Sequence, residues 1–523
     1  MRIFLLCLFA VTVNAAEKPV ALIPGLGTWQ HTIATRSPLA QKYFDQGLSL
    51  VYGFNRYEAL RSFRKAAELD PQAAMAYWGM AQAQAPYINM DGDPSYDIKE
   101  SCASVTKGLA LTGTSQTGRD YLEAASARCP DFADPAKYIQ AMRKLAAAHP
   151  DDMDAQVLFA ESLMIPVRWQ WYTHDGQPAA GEAEAERVLE GVLRRSATHP
   201  GANHFYIHAV ESSPNPERAV ASAQRLMGLV PAAGHVVHMP GHLWLVMGDF
   251  DNTVAVNERA AEVDRRYFAT TGVDGTYYMY YLHNLQFILY ARQMQGRLLE
   301  TRRAERMFQE AAAPMVKMMP EMAGMFSASV TMAELRMCRW DDLLAAAKPK
   351  PDNALAVTMW SYARAVSLAM KGRTAEASQE RAEFEKTRAT LDRAAQWGVN
   401  KTGDVMDLAA TILQARLLPE AAAVPVWKKA VEQQDSLVYD EPPAWYYPVR
   451  ESLGAALLTA AEAPAAEDVF REGLRRSPHN GRMLFGLLES LRAQGKTEAA
   501  GWVQKEFDTA WKGADLKLKL GDM

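Results

Sequence analysis

The chain runs to 523 residues with only four cysteines and no Cys-x-x-Cys pair, which leaves a thiolate zinc site without its usual ligand spacing. It lacks a long apolar run. The stretch from Ile3 to Val13 is shorter than the roughly 20 residues a membrane-crossing helix needs, so stable membrane insertion is not expected. A P-loop, a G-x-S-x-G elbow and a His-Glu-x-x-His motif are all missing, and these absences argue against an NTPase, a serine-triad hydrolase and a zincin protease. Gly25-x-Gly27 lacks the third glycine of a dinucleotide fingerprint. Nor is there a charge excess: 56 Lys and Arg stand against 61 Asp and Glu, a net charge of −5. No nucleic-acid partner is expected from that balance. Alternating apolar patterns are nearly absent too, which points to an all-α chain.

What is present begins at the N-terminus. Arg2, the apolar run and the small residues of Val13-Asn14-Ala15-Ala16 have the form of a secretory signal peptide over 1–16, cleaved near Ala15 or Ala16. The expected location is periplasmic or secreted. Cys7 would leave with the signal. In an oxidising compartment Cys102 and Cys129, which flank a helical hairpin turning near Gly113, are expected to pair. Cys338 is expected as a buried thiol. Glu17 to Arg36 has no helical period and reads as an extended arm, spanning 17–39.

The rest is periodic. Counting from Ala40 puts Gly47, Ala59, Phe63, Ala66 and Pro71 at positions 8, 20, 24, 27 and 32 of a 34-residue unit. Counting from Tyr447 puts Gly454, Ala466, Phe470, Gly473 and Pro478 at the same positions. Small residues let helices approach closely, and proline ends the second helix. Further units start at Pro200, Gly234 and near Leu282. Breaks at Pro86–Tyr96, Pro166–Gly181 and Phe268–Tyr278 read as inserted loops.

With Ser37-Pro38-Leu39-Ala40, Tyr43 to Leu48, Ala76-Tyr77-Trp78-Gly79, His199 to Glu211, His235 to His242, Tyr281-Leu282-His283-Asn284 and Glu441-Pro442-Pro443-Ala444-Trp445, the chain resembles the tetratricopeptide-repeat (TPR) proteins, and among them large exported bacterial members. The resemblance implies an all-α, TPR-like α-solenoid over 40–514, with a tail at 515–523. It implies no settled activity.

Eleven histidines occur, seven of them between His199 and His283. His204 and His208 form one His-x-x-x-His pair; His238 and His242 form another, 34 residues on. In TPR folds, as the resemblance implies, positions 2, 5, 9 and 12 of the first helix face the concave groove. His204, His208 and Glu211 then fall at 5, 9 and 12 of one unit, His235, His238 and His242 at 2, 5 and 9 of the next, and His283 at 2 of the unit after. Residues four apart share a helix face, and imidazole suits zinc, copper, iron or nickel. The expectation is a transition-metal site, copper or zinc with iron as a third option, in a His-rich concave centre over about 200–290. Glu211 could be a ligand, a partner to an imidazole N–H, or a catalytic base. His31, on the arm, could thread into the groove as a further ligand. His199, before Pro200, reads as structural, and His149, His174 and His479 as turn or loop residues.

Asn203, Asn284, Trp171, Tyr172, Trp445 and Arg450 are expected to line the groove as ligand contacts, with Glu441, Trp445, Tyr446 and Arg450 opening a first helix. Met315, Met318, Met319, Met322 and Met325 form a dense run that thioether chemistry would suit to copper, although methionine also fills helix interfaces. Asp91-Gly92-Asp93 with Asp97 resembles a fragment of a calcium loop without its closing Glu. Three functions remain open: a solenoid holding a transition metal and binding a peptide, protein or small molecule in its groove; a metal-free protein or peptide scaffold in which the histidines are hydrogen-bonding groups; and a metal-dependent enzyme, hydrolase or oxidase in type, with Glu211 as base.

Overall fold

The structure, a computed structural model, describes residues 19–89, 97–272 and 275–523. The signal segment 1–16 and Asp91-Gly92-Asp93 lie outside these residues. Asp97 accepts a hydrogen bond from the Glu100 amide as the N-cap of helix Ile98–Leu109.

The described chain is an all-α, TPR-like solenoid of antiparallel helical hairpins. The first hairpin shows how the sequence writes it. Ser37 caps helix Pro38–Tyr52, with proline in its first turn, and Asn55 caps helix Arg56–Leu69; both caps satisfy amides the helix itself leaves open. Phe63 then wedges between two glycines. A Cβ on Gly47 would lie 2.7 Å from its ring, and one on Gly79, in the following helix, 2.3 Å. The C-terminal array repeats the arrangement: Phe470 sits 2.3 Å from where a Gly454 Cβ would be and 2.1 Å from that of Gly486. The periodic glycines are therefore contact points where a side chain would hold the helices apart.

Two hydrophobic cores run along the array. One gathers residues from Leu26 to Leu243, joined by Tyr277 and Tyr280. The other runs from Leu245 to Met523. The N-terminal arm is extended and lies over the first. Its Ile23 amide donates to Gln46 Oε1 at 2.7 Å, and its Gly25 carbonyl accepts from Ala232 N at 3.0 Å. Cys102 and Cys129 form a disulfide between helix Ile98–Leu109 and the end of helix Gln116–Ser126. The tail folds back, and the Asp515 carboxylate accepts from the Leu298 and Leu299 amides.

Several expectations need correction. Phe268–Tyr278 is mostly helical: helix Phe250–Thr271 runs to Gly272, whose φ of +94° ends it, and helix Gly275–Met294 follows at once. The stretch from Val438 to Pro448 contains no helix, because its three prolines remove amide donors, and the helix begins at Arg450. Cys338 is half-buried, with φ +56°. The methionine run is split, since helix Leu298–Met318 stops before Pro320 and Met318 is exposed while Met315 is buried. Strand structure among the described residues amounts to Gln396–Trp397 paired with Asn400–Lys401, plus a bridge between Tyr172 and Pro178. No helix among the described residues is long and apolar enough to cross a membrane.

Candidate metal centre

Close helix packing builds the centre. Helix Pro200–Glu211 carries His204, His208 and Glu211; the short helices Gly234–His238 and Pro240–Val246 carry His235, His238 and His242; helix Gly275–Met294 carries His283. Gly201 lies where a Cβ would come within 2.5 Å of the Tyr52 ring, so helix Pro38–Tyr52 packs directly against the first of these. Gly241 leaves room for Asn257, whose Nδ2 would sit 2.5 Å from a Cβ there, and Gly234 for Asp264, at 1.8 Å. These bare backbones bring the polar groups of neighbouring helices up to the histidines.

All six imidazoles converge. Ring centroids of consecutive neighbours lie 4.6 to 5.6 Å apart from His204 through His208, His242 and His238 to His235, and His283 is 4.9 Å from His238. The donor atoms fall into two groups, His204, His208, His235 and His238, His242, His283, each with its atoms within 4.8 Å of one another. Phe54, held at φ +57°, lies against the first group, with centroids 4.5, 6.0 and 4.9 Å from His204, His208 and His235. Phe287 lies against the second at 4.7, 4.9 and 4.8 Å from His238, His242 and His283.

Hydrogen bonds on the outer side of the rings fix their protonation. His204 Nδ1 lies 2.5 Å from the Tyr52 carbonyl oxygen, so Nδ1 carries the proton and Nε2 is a bare lone pair. His238 Nδ1 lies 2.6 Å from Asn257 Oδ1, which the Asn257 amide's own donation to Thr253 O identifies as oxygen; its Nε2 is likewise bare. His208 Nδ1 meets Glu211 Oε1 at 3.1 Å. This is the outer-shell pattern that orients metal-ligating imidazoles. Inside, His204, His208 and His238 Nε2, both nitrogens of His235 and Nδ1 of His242 are buried without a hydrogen-bond partner.

Burial keeps every imidazole neutral. It lowers His208 to about 3 and, with the His208 charge adding to it, His283 to about 4; it drives His204, His235, His238 and His242 down as well. Two carboxyls face them. Glu441 Oε2 stands 2.6 Å from His242 Nδ1, and Glu211 Oε2 3.3 Å from the same atom, but neither contact has hydrogen-bond alignment. Burial raises both carboxyls well above their usual range, with Glu211 adding to Glu441. Without a cation, this interior is therefore a set of neutral donors.

The face is closed. His204, His208, His235, His238 and His242 are at most 2% exposed, because the solenoid winds tightly enough for helix Pro38–Tyr52 to touch helix Pro200–Glu211. Beside it a cleft of ≈ 260 Å³ is lined by Leu245, Phe250, Tyr290, Trp445 and Arg450, and by Glu441. Tyr439 OH donates to Glu441 Oε1, leaving Oε2 toward His242.

The other expected residues scatter. His31 stays outside the cluster: its Nδ1 is 2.9 Å from Asp154 Oδ2. Asp154 also accepts from Trp29 Nε1 and, at 2.5 Å, from Tyr52 OH, and lies 3.2 Å from His199 Nε2, so this carboxylate is saturated by protein donors. His199, read as structural, caps helix Pro200–Glu211 by accepting from the Ala202 amide. Asn203 donates to the Ala197 and His199 carbonyls and braces the start of its helix, and Asn284 donates to Asp264, tying helix Gly275–Met294 to helix Phe250–Thr271. Trp171, fully buried, touches the cluster at 5.8 Å from His208, while Tyr172 turns away to Glu186. Trp445 and Arg450 line the cleft, Arg450 paired with Asp435 at 2.6 Å. Sequence reasoning missed Asn257, Phe54 and Phe287 and placed Glu441 only on the groove wall; the one available signal for Glu441 was an acid next to two prolines.

No family model matches the chain. A stretch of 61 residues, 11% of this chain, is 43% identical to an uncharacterized protein of Aquifex aeolicus (strain VF5), and the match spans only 8% of that protein's length. Among solved structures, the human IFIT1 dimer with m7Gppp-AAAA is similar at 11% identity and a TM-score of 0.35, covering 92% of both chains. The TPR domain of P58(IPK) is similar at 11% identity and 0.22, covering 88% of this chain and 99% of that one. The APC/C hetero-tetramer Cut9-Hcn1 is similar at 10% identity and 0.30, covering 90% and 87%. None of these lends a residue role or an activity to this chain.

Proposed function

We propose that the protein is an exported solenoid whose centre binds a transition metal, copper or zinc ahead of iron, on His204, His208, His235, His238, His242 and His283. The observation that carries this is six buried imidazole nitrogens without a hydrogen-bond partner, one each on His204, His208, His238 and His242 and both of His235. A buried, unsatisfied polar atom costs about 1–3 kcal/mol, so the five with no carboxyl beside them would cost roughly 5–15 kcal/mol if left empty, comparable with the whole stability of a typical domain, about 5–15 kcal/mol. A cation accepts one lone pair from each imidazole directly, the other nitrogen of a neutral His235 being an N–H, and imidazoles already neutral need not shed protons to bind it. The disulfide supports export, since such bonds persist in oxidising compartments.

Helical arrays commonly serve as interaction scaffolds, and this chain has that architecture. With five of the six histidines enclosed, a peptide or protein partner would dock on another surface of the array. A small molecule has a route of its own, the cleft ending at Glu441. That cleft favours a second reading, a metal-dependent enzyme in which Glu441, rather than the Glu211 behind it, is the carboxyl facing the substrate.

The test is metal analysis of untagged protein. Stoichiometric copper, zinc or iron in the wild type, lost in His204→Ala/His238→Ala, is the expected result. A wild type that holds no metal after exposure to all three sinks the reading.

A further inference from the structure

Six imidazoles are more than the four donors a tetrahedral ion takes. The imidazole donors here gather in two groups of three, each with its atoms within 4.8 Å of one another, and His242 of the second group also stands with Glu211 and Glu441. Each group is the same three-position motif. His204 and His208 stand at positions 5 and 9 of one repeat and His235 at position 2 of the next. His238 and His242 stand at 5 and 9 of that second repeat, and His283 at position 2 of the third. The pairs are 34 residues apart, so the second trio is the first carried one step along the solenoid.

The surroundings divide the same way. One phenyl ring, Phe54, backs all three members of the first trio, and another, Phe287, all three of the second. The trios meet where His208 faces His242, at 5.4 Å between centroids, and where His235 faces His238, at 5.6 Å. Glu211 spans the join, with Oε1 at His208 and Oε2 at His242. From these observations, and resting on the metal-binding reading above, we infer that the centre holds two transition-metal ions side by side, one on His204, His208 and His235 and one on His238, His242 and His283.

The two sites are not alike in access. The first is enclosed by Phe54, Trp171 and Tyr280, with Trp171 against His208 and Tyr280 against His235. The second has Glu441, a wall residue of the cleft, 2.6 Å from His242. The ion on the second trio is the one a small molecule in the cleft could reach.

The experiment strips the full-length, untagged protein with chelator, reloads it with copper(II) alone and counts bound copper after desalting. Two equivalents are expected in the wild type, one in His204→Ala, one in His283→Ala and none in the double variant, with far-UV circular dichroism confirming helical content. Electron paramagnetic resonance of the loaded wild type supplies a readout that needs no variant: a half-field transition, which requires two coupled ions. One equivalent without that transition overturns the two-ion centre while leaving metal binding intact; no bound copper, with zinc and iron equally absent, overturns the metal reading itself. Two equivalents retained in both single variants would overturn the assignment of the trios.

Discussion

Replacing His235 with phenylalanine should change stability in opposite directions with and without metal. Both ring nitrogens of His235 are buried and unpartnered, and its ring already lies among aromatic neighbours, Phe54 at 4.9 Å and Tyr280 at 4.5 Å. At about 1–3 kcal/mol for each unsatisfied atom, the substitution relieves roughly 2–6 kcal/mol; the slightly larger ring returns about 1 kcal/mol of crowding. Metal-free His235→Phe should therefore be more stable than metal-free wild type by about 1–5 kcal/mol. Metal reverses the order. An ion at about 100,000 times its dissociation constant, as excess zinc would be over a tight site, stabilises the wild type by about 7 kcal/mol, more than the metal-free gain of the variant, and the variant forfeits that for the ion on the first trio. Urea unfolding followed by circular dichroism, in chelator and then in excess zinc, measures both arms. If His235→Phe is less stable than wild type in chelator by more than about 1 kcal/mol, the imidazole is serving the protein's own hydrogen bonding and the reasoning fails.

Gly241→Ala places a Cβ 2.5 Å from Asn257 Nδ2 and should push Asn257 off His238; loss of such a support costs about 10–100-fold in metal affinity, read by competition with a chromophoric chelator. Reducing the Cys102–Cys129 bond, which closes a separation of 27 residues, should cost about 3.5 kcal/mol in the chain-entropy account, measured by urea unfolding with and without reductant. The N-terminal arm should loosen in alkali. Burial alone would depress His31, but the hydrogen bond and charge of Asp154 outweigh it and raise the imidazole above its usual 6.5, so the pair's contribution is complete below pH 6.5 and fades as pH rises through the raised value. Hydrogen-exchange protection over residues 20–35, corrected for intrinsic rates, should fall between pH 6 and pH 9 in the wild type and be low throughout in His31→Ala; equal protection at both pH values would refute this.

Much of the centre was legible because the repeat is local. The 34-residue step from His204 to His238 and from His208 to His242 follows from period alone, and so do Gly47, Phe63, Gly454 and Phe470. Other parts have no periodic trace. Glu441 reaches His242 from nearly 200 residues away, on a proline-rich segment whose path depends on how the whole solenoid winds. The arm's destination was equally hidden: His31 could be seen as free to enter the interior, but only the fold shows that Asp154 holds it elsewhere. Closure of the concave face was missed for the same reason. Periodicity says which side of a helix faces inward, and not how far the opposite wall stands from it.

The position of Glu441 has one more consequence. In a linear array each hairpin answers only to its neighbours, and stability is close to a sum of nearest-neighbour terms. Phe54, which backs the first trio, belongs to the N-terminal core, whereas Phe287, which backs the second, belongs to the C-terminal one, as do Ala444 and Trp445 close after Glu441. Ions held across that seam would add a term between segments far apart in the chain. The loaded protein should then melt as one unit where the stripped protein melts in stages, and the metal would act as the latch that turns a string of repeats into a single cooperative body.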